Sequence, residues 1–157
     1  MTKKYNSVLI IGMGLIGSSI SRALVENHVA NSVYGLDSDD KIIKKCHDLN
    51  LLVQGETNLN NFDLQFDLII ICTPLSAYKN IFFSLSDFIS QPTLITDVGS
   101  TKMSTISDFK NAVTNTNITF VPSHPIAGLE KSGPEYGFSK LFDNRYCILT
   151  PYETNDA

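Results

Sequence analysis

The sequence has no long run of basic residues, no closely spaced cysteine pair and no apolar stretch of bilayer length, and each absence argues against a class of function. Its 12 Lys and Arg stand against 16 Asp and Glu, for a formal charge of −4. A nucleic-acid partner usually leaves a basic patch, so none is expected. The three cysteines, Cys46, Cys72 and Cys147, are odd in number and none has CxxC spacing. That argues against a disulfide framework or zinc knuckle, implies no metal site and fits a reducing cytoplasm. All three read as small core or half-buried side chains. No apolar run approaches the roughly 20 residues a bilayer requires, so no membrane partner is expected. The apolar run from Val8 to Gly17 behind Lys3 and Lys4 loosely imitates a signal peptide. Its three glycines, with Arg22 soon after, suit a buried strand ending in a tight turn better.

What is present is an ordinary globular composition, with 43% hydrophobic and 18% charged residues in a chain of 157. That length suggests one domain with a real core. Strand-like and helix-like segments alternate. Ser7 to Ile11 is a continuous apolar run, as in a strand buried on both faces. Leu15 to Val25 has helical spacing, and Ser32 to Leu36 reads as a second strand. Ser38 is a plausible N-cap for a helix reaching about Asn50, with Asp39 and Asp40 in its first turn. Further strands are expected at Leu51–Gln54, Asp67–Cys72, Thr93–Val98, Ile118–Val121 and Tyr146–Leu149. Helices are expected over Ser76–Ile89 and Met103–Val113, and a polar loop or weak helix over Glu56–Gln65. Crossovers of this kind build an α/β fold with a doubly wound, mostly parallel sheet of the Rossmann type. The domain reads as residues 1–151, with 152–157 a polar tail at a boundary.

Gly12, Gly14 and Gly17 form G-x-G-x-x-G. Alone the pattern is weak, but here it follows a buried strand and opens a helix. Gly12 permits the tight turn, Gly14 lets the backbone approach a pyrophosphate, and Gly17 lets the helix pack close to the strand. The free N–H groups of the helix start then face the phosphates. Asp37 lies twenty residues after Gly17, where an acid can accept hydrogen bonds from an adenosine ribose and would repel a 2′-phosphate. No arginine follows it. The cofactor expected is therefore NAD rather than NADP. A purely structural glycine turn, with Asp37 starting the next helix, is the plainer alternative.

Ligands on such sheets bind beyond the carboxyl ends of the strands. Three segments should arrive there: Cys72-Thr73-Pro74, Gly99-Ser100-Thr101-Lys102 and Ser123-His124-Pro125. His124 is the one histidine expected at that edge. It is suited to take a proton from a hydroxyl as hydride leaves the same carbon, although from spacing alone a satisfied structural histidine is the plainer reading. His28 and His47 fall near helix ends and read as structural. Ser100 either bonds a substrate hydroxyl or the nicotinamide, or caps the helix after it. Lys102 either supplies positive charge to the site or is solvated. The long Gly- and Ser-rich stretch from Ile126 to Asn144 suggests a functional loop.

These residues resemble the prephenate/arogenate dehydrogenase family. The resemblance lies in Gly14-Leu15-Ile16-Gly17-Ser18, Cys72-Thr73-Pro74 and Asp97-Val98-Gly99-Ser100-Thr101-Lys102. It continues through His124-Pro125-Ile126-Ala127-Gly128, Glu130-Lys131-Ser132-Gly133, Leu141-Phe142 and Ile148-Leu149-Thr150-Pro151. It implies oxidative decarboxylation of prephenate or arogenate in tyrosine biosynthesis, with hydride passing from the ring carbinol carbon to NAD. It also implies that His124 polarises or deprotonates the ring hydroxyl, that Ser100 bonds that hydroxyl and orients the nicotinamide, and that Glu130 lies at the mouth of the substrate pocket. Gly12, Gly14, Leu15, Ile16, Gly17 and Asp37 would then hold the cofactor, with Thr73 and Pro74 beside the nicotinamide ribose. Two departures stand out. Leu129 replaces a common Ser or Thr, and the chain ends at Ala157, where the family continues into a helical domain that builds a homodimer. The competing readings are a non-catalytic NAD-binding module and a different hydroxy-acid dehydrogenase on the same fold.

Overall fold

In a computed structural model describing residues 5–152, alternate residues of each central strand serve two different cores. Strand β1 (Tyr5–Ile11) sends Val8 and Ile10 to one side and Leu9 and Ile11 to the other. Strand β4 (Leu68–Ile71) divides in the same way, with Leu68 and Ile70 opposite Ile69 and Ile71. A strand buried on both faces has no use for polar alternation, which is why both read as unbroken apolar runs. The first core is closed by helices α1 (Leu15–Glu26) and α2 (Asp40–Asp48), through Ile20, Leu24, Ile42 and Cys46. The second is closed by α3 (Tyr78–Phe88) and α4 (Lys102–Ala112), through Phe82, Leu85 and Phe109.

With β2 (Ala30–Leu36), β3 (Gln54–Glu56), β5 (Thr93–Asp97) and β6 (Ile118–Val121), the main sheet has six strands in the order β3-β2-β1-β4-β5-β6. Every pairing in it is parallel. The order reverses between β1 and β4, so a crevice opens at their carboxyl ends, the place where doubly wound sheets take ligands.

Several local expectations shift. The cap of α2 is Asp39, not Ser38, because the Asp39 carboxylate accepts from the Lys41 N–H at 2.9 Å. The third strand begins at Gln54 rather than Leu51. Leu51 instead closes the end of α2, its N–H bonded to the Cys46 carbonyl and its own carbonyl accepting from Ser21. Glu56–Gln65 holds one short 3-10 turn, Leu59–Asn61, anchored by buried Leu59 and Phe62. The last strand, β8 (Cys147–Leu149), lies outside the main sheet. It pairs antiparallel with a short strand, β7 (Ser123–Pro125), that sequence reasoning did not anticipate. All of β8 is exposed, and Cys147 is therefore a surface thiol rather than a half-buried one. Tyr152, read as the first tail residue, packs against Phe109 and Phe120 with centroids 6.3 Å from each; residues 153–157 lie outside the described residues.

The stretch expected to be a functional loop is divided. Its latter part is a cover for α1. There the Phe138 N–H donates to Ser19 Oγ at 3.1 Å, Leu141 is buried, and Lys45 pairs with Glu135. This cover lies against Ser18 and Ser19 of α1, both fully buried, while Ser21, also buried, bonds the Leu51 carbonyl. Residues 126–132 carry no such packing role and remain at the carboxyl edge, mostly exposed.

Candidate nucleotide-binding and catalytic site

The glycine turn is built as its spacing requires. Gly12 has φ +94°, a left-handed value that an L side chain resists, and a Cβ there would lie 2.8 Å from the backbone of Cys72. Gly17 sits where a Cβ would overlap the carbonyl oxygen of Gly12, so its role is the close approach of α1 to β1. Gly14 differs from both: a Cβ there would meet no protein atom within 4 Å. Its small size serves no packing inside the chain and leaves free space over the turn.

Gly14 also occupies the N-cap of α1 without a side-chain cap, so the first N–H groups of a twelve-residue helix point into that space. Together with the helix dipole they favour an anion there. The Asp37 carboxylate, just past β2, braces the turn by accepting from the Met13 N–H at 2.8 Å and the Asp39 N–H at 3.0 Å. Asp37 therefore has a structural duty besides any ligand it meets, and it is not the helix-start residue of the plainer reading.

A groove of about 420 Å³ runs from Gly12 and Gly14 past Asp37 to Thr73, Pro74 and Ile81. The Thr73 hydroxyl is buried and has no hydrogen-bond partner among the described residues. A buried hydroxyl normally finds a partner, and Thr73 is among the residues that line the groove. The cradle at Gly14, the uncapped helix, the Asp37 carboxylate on the groove and the orphan Thr73 hydroxyl all fit a dinucleotide. Beside them, burial and the charge of Asp97 push the Cys72 thiol well above its usual range, which favours the neutral thiol over the thiolate. Among the described residues, no group of three His, Cys, Asp or Glu side chains is placed to hold a metal ion, and no helix is long and apolar enough to cross a membrane.

At the same edge, Ser100 precedes α4 and is exposed, and the capping position is taken by Thr101. His124 is half-buried on β7, with Nδ1 3.1 Å from the Val98 carbonyl. A carbonyl can only accept, so this bond puts a proton on Nδ1 and leaves the Nε2 lone pair free in the neutral ring. Glu130 is exposed on the 126–132 loop. Lys102 follows neither expectation. It is turned inward, with Nζ 2.6 Å from Asp97 Oδ2 and 2.6 Å from the Ser123 carbonyl. His28 and His47 lie at the ends of α1 and α2, as expected of structural histidines.

Fold and groove together define a Rossmann-type nucleotide-binding domain. The family model described as "Prephenate dehydrogenase, nucleotide-binding domain" matches residues 20–157, and the chain belongs to that family. It is 33% identical over 147 residues to cyclohexadienyl dehydrogenase of Zymomonas mobilis, covering 94% of this chain and 50% of that one. It is 32% identical to prephenate dehydrogenase of Bacillus subtilis, covering 99% of this chain and 42% of that one. Among solved structures, prephenate dehydrogenase from Aquifex aeolicus in complex with hydroxyphenyl propionate and NAD+ superposes with a TM-score of 0.90 at 32% identity. The overlap covers 99% of this chain and 54% of that one. The chain thus spans about half the length of the relatives it matches.

Proposed function

We propose that this chain is the cofactor-binding part of an NAD-dependent prephenate or arogenate dehydrogenase, catalysing oxidative decarboxylation in tyrosine biosynthesis. The observation that carries the reading is the arrangement of one sheet edge. A glycine turn shaped for a dinucleotide lies on β1, and Ser100 and His124 project from the ends of neighbouring elements, with the His124 Nε2 left free by the Val98 carbonyl.

The unit that does this work is residues 1–151 together with Tyr152, which packs on Phe109 and Phe120, with Gly12, Gly14, Leu15, Ile16 and Gly17 on the pyrophosphate. Asp37 takes the adenosine ribose, and Thr73 and Pro74 flank the nicotinamide ribose. NAD, when bound, supplies the hydride acceptor. His124 Nε2 accepts the proton of the ring hydroxyl as the carbinol C–H bond is broken, and Ser100 donates to that hydroxyl oxygen to hold it. Loss of carbon dioxide then restores an aromatic ring and makes the step strongly downhill. Glu130 stands at the mouth of the pocket. The homodimer that the resemblance implies, and the reducing cytoplasm that the cysteine count fits, belong to the same proposal.

The test is a titration with NAD and NADP, followed by assays with prephenate and with arogenate, on the chain alone and with a family helical domain supplied. NAD should bind more tightly than NADP. His124→Asn should lower turnover about 10²- to 10⁴-fold, the usual contribution of a proton-transfer group, with NAD affinity kept. Folded protein that forms no NADH in either arrangement would overturn the activity and leave a nucleotide-binding module. Full turnover by His124→Asn would remove the residue from the chemistry. Turnover of a simple 2- or 3-hydroxy acid in place of the two ring substrates would place the chain with other dehydrogenases.

A further inference from the structure

The geometry points to Asp97 as a positioning residue, acting through Ser123 to set the place and tautomer of His124. The inference rests on the reading of His124 given above. Parallel pairing between β5 and β6 ends at Thr96 and Val121, and the next residue, Pro122, has no N–H to extend the ladder. The chain must leave the sheet there, yet His124 follows two residues later. A set of side-chain bonds replaces the missing ladder. Asp97 Oδ1 accepts from the Ser123 N–H at 2.9 Å, and the Asp97 carbonyl accepts from Ser123 Oγ at 2.5 Å. One residue further on, the Val98 carbonyl meets His124 Nδ1. Two consecutive residue pairs, 97 with 123 and 98 with 124, are thereby held in register beyond the end of the sheet.

The other carboxylate oxygen fixes the clamp from behind. Asp97 Oδ2 accepts from Lys102 Nζ at 2.6 Å, from the Gly99 N–H at 2.9 Å and from the Tyr78 hydroxyl at 3.1 Å. Lys102 also donates to the Ser123 carbonyl, closing a ring of bonds around one wholly buried acid. A Cβ on Gly99 would stand 2.9 Å from Asp97 Oδ2 and 3.0 Å from the Tyr78 hydroxyl, so the turn leading to Ser100 is shaped to this same carboxylate. A single buried group therefore ties the Ser100 turn to the His124 strand, although it touches neither side chain.

The test uses the full chain labelled with 15N on histidine. In the wild type, long-range imidazole correlations should show neutral His124 as the Nδ1–H tautomer. Asp97→Asn turns a donor toward Lys102 and weakens the Ser123 bond. It should give a mixture of tautomers, with NAD affinity within about two-fold of wild type because the glycine turn lies on β1. In the assembled enzyme it should lower kcat about 100-fold at nearly constant KM for NAD, since about 2.7 kcal/mol of orientation is removed from the chemical step alone. A folded Asp97→Asn protein with an unchanged single tautomer overturns the inference. Should that variant fail to fold, Ser123→Ala decides, because it removes only the two hydrogen bonds of Ser123 Oγ, to the Asp97 carbonyl and from the Thr96 hydroxyl, and no charge: an unchanged tautomer there overturns the clamp, and a mixture upholds it. A tautomer mixture with full turnover would uphold the clamp and instead overturn the catalytic reading of His124.

Discussion

Replacing Gly14 and Gly17 separately by Ala should divide ligand binding from stability within one four-residue turn. At Gly17 the new methyl would overlap the Gly12 carbonyl oxygen and lie 3.1 Å from Ile10 Cγ2. The oxygen is backbone at the end of a central strand and cannot swing aside, so α1 must move outward by about 1 Å to reach ordinary contact distance. Overpacking of this kind costs about 1–3 kcal/mol. The gain of about 0.5–1 kcal/mol from replacing glycine within a helix offsets part of it at most. For a chain of this size a net loss of 1–2 kcal/mol lowers Tm by roughly 2–8 °C. At Gly14 the same methyl meets no protein atom within 4 Å, and the backbone there, at φ −73°, is open to alanine. Tm should therefore stay within about 1–2 °C of wild type. Yet the methyl fills the space over the uncapped helix start, where a pyrophosphate has to approach to about 3 Å. Losing one or two charge-assisted bonds there costs about 1.5–3 kcal/mol, or roughly a 10- to 150-fold rise in Kd for NAD. Calorimetric melts and NAD titration of both variants form the assay. Wild-type NAD affinity in Gly14→Ala would refute the assignment of that space to the cofactor. An unchanged melt for Gly17→Ala would refute the claim of close packing.

Asp37→Asn keeps one acceptor for the Met13 N–H but removes the charge that should repel a 2′-phosphate. NAD should weaken by about ten-fold and the NAD-to-NADP affinity ratio should fall; equal affinities in the wild type would show that Asp37 does not discriminate. Cys46 is fully buried, and burial, reinforced by the charge of Asp37, pushes its thiol up to about 11 from the usual 9.0. The unfolded chain then loses this proton first as pH rises, so Cys46 costs stability from pH 9 to about 11 and has no effect below. Cys46→Ala should be less sensitive than wild type to alkali over that window, by on the order of 2 kcal/mol at its upper end, in denaturant titrations; parallel curves would exclude the effect. A thiol reagent at pH 8 should modify exposed Cys147 at once and Cys46 only as the chain unfolds. Rapid loss of all three thiols in the native state would contradict the burial of Cys46.

The sheet was legible because its central strands are buried on both faces. Val8–Ile11 and Leu68–Ile71 have no polar register to mistake, and each is followed by glycine or proline punctuation at the carboxyl end. The two segments that misled are those in which an apolar residue serves something other than a strand. Leu51 is apolar because it closes α2 and takes the Ser21 hydroxyl, so the strand starts three residues later. Ser123-His124-Pro125 has no periodic pattern at all, and its partner β8 lies more than twenty residues away, beyond the cover on α1. A strand defined only by a distant partner leaves no local signal.

The same distinction separates the part of the site that could be read from the part that could not. Gly12, Gly14 and Gly17 belong to a local turn, where spacing alone fixes which atoms meet, while Asp37 reaches that turn from the end of β2 and accepts from the Met13 N–H, a contact that spacing does not announce. From the sequence, Lys102 reads as a charge for the site or for solvent, because a lysine near a helix start normally reaches outward. Its inward course depends on Asp97, which as the last residue of an apolar strand reads only as the strand's polar end. The available signal was the pair itself: an acid closing a buried strand and a lysine five residues on, either side of a glycine turn. Two opposite charges at that spacing either face solvent separately or are buried together, and burial together is tolerable only when further donors complete the carboxylate's shell. Tyr78, Gly99 and Ser123 supply those donors from three other positions in the chain. Only the folded topology brings them to one point, which is why the acid that ties Ser100 to His124 was the residue that sequence reasoning passed over.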